Sequence, residues 1–181
     1  EGYVNDLLSF SMLAKLMKYD QYMKPGRYQL QANMSNIQAI RLLRSGQQEP
    51  VHVTFNNVRL KPELAERLCE NVEADEHQLL ALLNDENFVK KYGFTTENIL
   101  TMFLPNTYEF YWTISAEELF ERFYQEYKGF WGERRVAQAD SLNMNPKEVI
   151  ILASIVESET NKPDEAPKVA GLYLNRLQRN I

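Results

Sequence analysis

Residues Val149 to Val156 read Val-Ile-Ile-Leu-Ala-Ser-Ile-Val, eight positions with one hydroxyl and no charge. Such a run must be shielded from water, so any fold of this chain has to provide a cover for it. It leads directly into Glu157-Ser158-Glu159-Thr160. A carboxylate carried straight out of a buried segment is expected to be partly desolvated, which disfavours its charged form and raises its pKa. That is how a protein keeps a carboxylic acid protonated near neutral pH, ready to donate a proton. A plainer reading stands beside it: Glu157 marks the point where a core helix reaches solvent.

Asn145-Pro146-Lys147-Glu148 is a helix-start signal, with Asn as N-cap, Pro at the first helical position and Glu three residues after the cap. Glu157 then lies about three turns into the helix. At helical spacing it shares a face with Ile150, Ala153 and Ser154, so small side chains lie beneath it and leave room for a ligand. Glu159 points elsewhere, with Leu152, Ile155 and Val156. Spacing alone does not choose between the two acids.

Ala153-Ser154-Ile155-Val156-Glu157-Ser158-Glu159-Thr160 is followed by Pro167-Lys168-Val169-Ala170-Gly171 and by Asn175-Arg176-Leu177. This pattern closely resembles the endolytic murein transglycosylases of the YceG-like (MltG) family. A second matching block is Phe103-Leu104-Pro105-Asn106-Thr107-Tyr108. A third is Lys24-Pro25-Gly26-Arg27-Tyr28 with Ile40-Arg41-Leu42-Leu43-Arg44-Ser45-Gly46, which resembles the membrane-proximal region of the family. The blocks occur in the family's order and span nearly the whole chain.

The resemblance implies that Glu157 acts alone, first as acid and then as base. It would protonate the glycosidic oxygen between N-acetylmuramic acid and N-acetylglucosamine, then take the proton from the muramoyl 6-hydroxyl as that group attacks its own C1. The product is a 1,6-anhydro end and the enzyme a lyase, needing neither metal nor cofactor. An intramolecular nucleophile replaces the second carboxylate of a glycoside hydrolase, and such a site must keep bulk water from the reacting centre. Ordinary hydrolysis would require a second acid, for which Glu109 is the one candidate. The resemblance gives substrate-binding or supporting roles to Glu159, Thr160, Asn106, Thr107, Tyr108, Glu109, Asn175 and Arg176. It implies peptidoglycan strands as the partner, with peptidoglycan synthases as further candidates. It also implies a single anchor helix upstream, in a bacterial cell membrane, with this portion on the cell-wall side.

Two features depart from the family. Asn106 stands where an acid is usual, so that position is expected to orient a partner by hydrogen bonds. The chain also ends at Ile181 inside a helical pattern, with no match to the family's Gln-Ser/Thr-Asp-Pro block. It is therefore expected to be part of a longer protein, just as Glu1 in place of Met suggests a removed N-terminus. A reading from a different class remains open for such a piece: a non-catalytic glycan-binding or scaffold module of the cell-wall machinery.

A net charge of -5 argues against non-specific nucleic-acid binding and gives no long-range attraction to anionic peptidoglycan. The lone Cys69 excludes an intramolecular disulfide and reads as a small core residue. His52 and His77, the only histidines, have no metal-site spacing. No apolar run approaches the roughly 18 residues of a membrane span.

The fold class expected is α+β. Residues 1–94 form a membrane-proximal region holding a LysM-like module at about 48–90, and 95–181 begin a mostly helical catalytic domain. A helix is expected from Val4 to Met17 with Leu8, Met12 and Leu16 on its inner face, and a short strand at Arg27–Gln31. A second helix opens at Ser35 and stops at Ser45-Gly46. A strand at Val51–Phe55 precedes helices from about Pro62 to Asn71 and Asp75 to Leu83. That strand-helix-helix order is the LysM resemblance, although Asn56-Asn57-Val58-Arg59-Leu60 replaces the usual Gly-Asp-Thr loop; glycan binding and a purely architectural role are both open for it. Glu97–Met102 reads as a helical turn and Leu104–Trp112 as an aromatic strand. Within it Phe110 and Trp112 belong to the core, while Tyr108 and Glu109 are candidates for the site. Helices follow over Ser115–Tyr127, with Leu119, Phe120 and Phe123 inward, and over Arg134–Ser141. The last helix, after Pro163–Pro167, is expected to pack Val169, Leu172, Tyr173 and Leu177 inward.

Overall fold

Side-chain caps open most of the helices. The computed structural model describes residues 6–179. Among them run α1 (Leu7–Leu16), α2 (Asn36–Ser45), β1 (Val51–Phe55), α3 (Lys61–Cys69), α4 (Glu76–Asn84), α5 (Glu86–Lys90), β2 (Asn106–Phe110), α6 (Ala116–Phe130), α7 (Glu133–Ser141), α8 (Pro146–Glu159) and α9 (Ala166–Arg179). Short 3-10 turns stand at Tyr19–Gln21 and Ile99–Met102. Ser35 with Gln38, Ser115 with Glu118 and Asn145 with Glu148 form reciprocal capping boxes on α2, α6 and α8, satisfying backbone donors that the helix itself leaves free. Gly46 ends α2 at φ 75°, a left-handed conformation that glycine adopts without a Cβ penalty.

The strands pair antiparallel, with Val51 opposite Phe110, Val53 opposite Tyr108 and Phe55 opposite Asn106. One face of this ribbon is exposed and polar: His52 Nε2 lies 3.0 Å from Glu109 Oε1, and the Thr54 and Thr107 hydroxyls are 2.7 Å apart. The other face carries Val51, Val53, Phe55, Tyr108 and Phe110 into one core with Leu64 and Leu68 of α3, Leu79 and Leu83 of α4, and Leu119, Phe120 and Phe123 of α6. Phe123 is fully buried. Its ring meets Tyr108 edge-on at 4.7 Å and Phe55 at 5.8 Å, and lies 5.0 Å from Phe103, distances at which aromatic pairs add to the burial term.

The α+β class and most elements agree with the sequence reading, including β1 residue for residue. The differences have physical causes. Arg27–Gln31 is coil: neither strand of the sheet pairs with it, and isolated bonds such as Glu49 N to Arg27 O and Met34 N to Gln31 O do not make a ladder. Val4 lies outside the described residues. On α1 the supposed inner face is exposed, with Leu8 at 80% and Met12 at 74%, the helix packing mainly on the next elements along the chain. On α9, which packs mainly on α8, Leu172 and Leu177 are likewise exposed. The sheet and its core draw on both sides of residue 94/95. β1 and β2 come from opposite sides of it and share one core, so the strand-helix-helix segment 48–90 takes its second strand from residues 106–110.

Cys69, half-buried on α3, has its thiol pushed up to about 11, first by burial and then by the charges of Glu76 and Asp75. The thiolate fraction at pH 8 should therefore be roughly a hundredfold below that of an ordinary thiol. Reaction with an aromatic disulfide reagent is expected to be slow in the native protein and fast after denaturation. Truncating the core hub, Phe123→Ala, should cost about 3–5 kcal/mol, read as a loss of unfolding free energy in urea.

Candidate functional site

The Asn145 cap starts α8, and Lys147 pins that end to the rest of the molecule: its ammonium donates to the Gly93 carbonyl and sits 4.9 Å over the Phe94 ring. From there the apolar run passes along one side of a cleft of about 820 Å³. Val149, Ile150, Ala153, Ser154 and Glu157 of α8 form one wall. Facing them are Gln138 and Ala139 of α7, Phe130 and Trp131 at the end of α6, the stretch from Leu100 to Pro105, and Asn57, Val58 and Arg59 in the loop after β1. The lining is mostly apolar with a few polar groups, the usual make-up of a small-molecule site.

The expected burial of the run is corrected here. Only Leu152 of α8 is buried, whereas Ile151 is 45% exposed and Ala153 and Ser154 are open. The helix has a packing layer on one side and the open cleft on the other. Glu157 is correspondingly exposed, so the described residues do not supply the desolvation that its place in the sequence suggested. The small side chains expected beneath it are there, since Ala153 and Ser154 line the cleft one turn below.

Glu157 has a polar partner that the sequence did not single out. Asn57 Nδ2 lies 3.0 Å from Oε2 and 2.9 Å from Oε1 of Glu157, in the amide orientation that sets nitrogen rather than oxygen against the carboxylate. Asn57 holds φ at 47°, a left-handed conformation that asparagine tolerates better than most residues. The Asn56-Asn57 pair was readable as a turn signal, but nothing in the sequence tied it to a residue 100 positions on.

Of the predicted site residues, Glu157 alone lines the cleft. Glu159 points away and accepts from the Tyr173 hydroxyl at 3.0 Å, a bond that raises the Tyr173 phenol above its ordinary range. Thr160 organises the turn into α9, donating to Glu165 at 3.0 Å and accepting from Lys162 N at 3.1 Å. Arg176 lies over the Tyr173 ring at 5.6 Å, so its link is to Glu159 through Tyr173 rather than to Glu157. Asn175 is exposed on α9. Asn106 accepts from Thr107 N at 2.8 Å, and Thr107 and Glu109 belong to the exposed ribbon face. Tyr108, expected at the site, lies in the core. It is 7% exposed, burial pushes its phenol up to about 12, and its hydroxyl donates to Leu104 O at 2.6 Å. The strand's alternation sends it inward with Phe110, so it shapes the cleft only through the Leu104 segment. Phe130, Trp131, Arg59 and Arg135, absent from the prediction, are in the lining. Arg135 bonds the Phe130 carbonyl at 2.9 Å and stacks on its ring at 4.1 Å.

Among the described residues no three His, Cys, Asp or Glu side chains gather as a metal site, and no helix is long and apolar enough to cross a membrane.

The model of the YceG-like family matches residues 1–181. Among solved structures, that of a protein of Listeria monocytogenes described as YceG-like aligns with 98% of this chain at a TM-score of 0.62 and 21% identity. The likeness at that identity is one of fold, and this chain spans 63% of the other's length. No curated protein matches the chain.

Proposed function

The chain belongs to the YceG-like family, and we propose on that premise that the protein is an endolytic peptidoglycan lytic transglycosylase in which Glu157 transfers the proton. The observation that carries this reading is the place of Glu157. It stands on a capped helix at the wall of a cleft of about 820 Å³, above the small Ala153 and Ser154. A sugar ring can approach the carboxylate over those two residues, and the apolar lining at Phe130 and Trp131 suits the apolar faces of sugar rings. Arg59 and Arg135 stand in the same lining as Glu97 and Glu157, so the charged side chains of the cleft are of both signs and recognition rests on sugar stacking and hydrogen bonds.

In this mechanism the protonated Glu157 donates to the glycosidic oxygen between N-acetylmuramic acid and N-acetylglucosamine. As the C1–O bond breaks, the muramoyl 6-hydroxyl attacks C1 and its proton passes to the Glu157 carboxylate. One group therefore suffices, because the nucleophile is already held in the substrate. The bound strand itself would cover the open side of the cleft and exclude water. By the same family argument the protein works at the cell membrane with this part facing the wall, beside peptidoglycan synthases.

The exposure of Glu157 favours a second reading, a glycan-binding module that does not cut, in which the LysM-like segment at 48–90 contributes. The two separate cleanly. Full-length protein acting on purified glycan strands should release internal fragments with 1,6-anhydro-muramic ends, detected by mass spectrometry. Glu157→Gln should abolish them with the melting temperature unchanged, and Glu159→Gln should cost far less. Cleavage surviving in Glu157→Gln would sink the assignment, and ordinary reducing ends would mean that water attacks. Binding without cleavage would establish the second reading.

A further inference from the structure

We infer that Asn57 is a positioning residue for Glu157, holding the carboxylate in its working orientation from the opposite wall of the cleft. The inference rests on the reading that Glu157 transfers the proton, and deepens it. One amide nitrogen, Asn57 Nδ2, lies within hydrogen-bonding distance of both carboxylate oxygens, at 3.0 and 2.9 Å, and so ties the carboxylate to a donor fixed on another part of the chain. Among the described residues no lysine, arginine or histidine forms an ion pair with Glu157, so the contact is to a neutral donor.

That neutrality suits the chemistry. A cation would hold the group as a carboxylate throughout, whereas a group that gives a proton and then takes one must be accommodated in both states. An amide carries an NH₂ donor and a carbonyl acceptor on one planar end. It offers N–H to the carboxylate and, after a half-turn, C=O to the carboxylic acid.

The amide is itself well placed to act as a fixed point. Phe55, two residues before it, stacks on Tyr108 at 5.9 Å and meets Phe123 at 5.8 Å, and Val58 packs against the same core. With both flanks anchored, the left-handed turn at φ 47° aims the side chain out of the sheet end toward α8. Glu157 lacks such support on its own helix, because its neighbours Ser154 and Ser158 are exposed and their hydroxyls are spent on the carbonyls of Ile151 and Ile155. Its orientation therefore depends on what reaches it from across the cleft.

The test is steady-state cleavage of purified, uncrosslinked glycan strands by the full-length protein. Asn57→Gly keeps the left-handed backbone and deletes the amide; Asn57→Asp keeps size and turn preference but sets a like charge against Glu157. Removing a hydrogen bond to a charged group predicts a fall in kcat of roughly 10- to 100-fold for Asn57→Gly, with KM within about twofold and the melting temperature unchanged. Asn57→Asp should fall at least as far. Wild-type kcat in Asn57→Gly, beside an inactive Glu157→Gln, would overturn the positioning role and leave the proposed function standing. A loss confined to KM, or matched by lowered melting temperatures in both variants, would overturn it as well. Activity in Glu157→Gln would remove the premise, and the inference with it.

Discussion

The antiparallel pairing of β1 with β2 over the ring of Phe123 is the constraint from which the rest of the molecule hangs. The two strands are far apart in the chain, with His52 and Glu109 separated by 57 residues, so closing them carries a loop-entropy cost that local helices do not meet. The offset comes from one continuous apolar layer. Each strand turns its aromatic residues to the same side, and Phe123 meets three of them together with Phe103. α3, α4 and α6 are held in place by the same layer. Two parts of the cleft lining, the Asn57 loop and the Leu104 segment, are the strand extensions that this pairing brings side by side.

Away from that core the packing thins. Neither α1 nor α9 has a fully buried residue, and α8 has one. Besides the packing of Ile150 on the core and the buried Leu152, α8 is held through Lys147 at its start, through Asn57 beside Glu157, and through the Tyr173–Glu159 bond at its end. Polar contacts of this kind fix direction at small energetic cost to the fold, and regions that depend on them open locally more readily than a core strand does. A cleft wall built in this way can adjust to a bound strand without disturbing the sheet. The long apolar side of α8 then serves as lining, in keeping with the rule that a large exposed apolar surface marks a place where something binds.

Much of the local structure was legible in the sequence because its causes are local. Ser35, Ser115 and Asn145 cap their helices through atoms three residues away, and the alternation Val51-His52-Val53-Thr54-Phe55 states which side of the ribbon is buried. Even the small residues under Glu157 were visible, as helical spacing puts Ala153 and Ser154 below it. What misled was the assumption that apolar means buried. The runs on α1, α8 and α9 show that a stretch of hydrophobic side chains demands a cover without saying whether core, ligand or another surface provides it. The same limit applies to Tyr108, whose adjacency to the Pro105-Asn106 turn suggested the site while the phase of the strand sent it into the core.

The sequence by itself therefore determined most of the elements, several helix starts and the acid on its capped helix, since hydrogen-bonding side chains and residue periodicity act over a few positions. Only the tertiary structure decided which side of α8 faces a cleft, that the first and second halves of the chain share one sheet, and that Asn57 meets Glu157. Those outcomes depend on where two distant segments end up once a common core has closed, and no spacing along the chain encodes that distance.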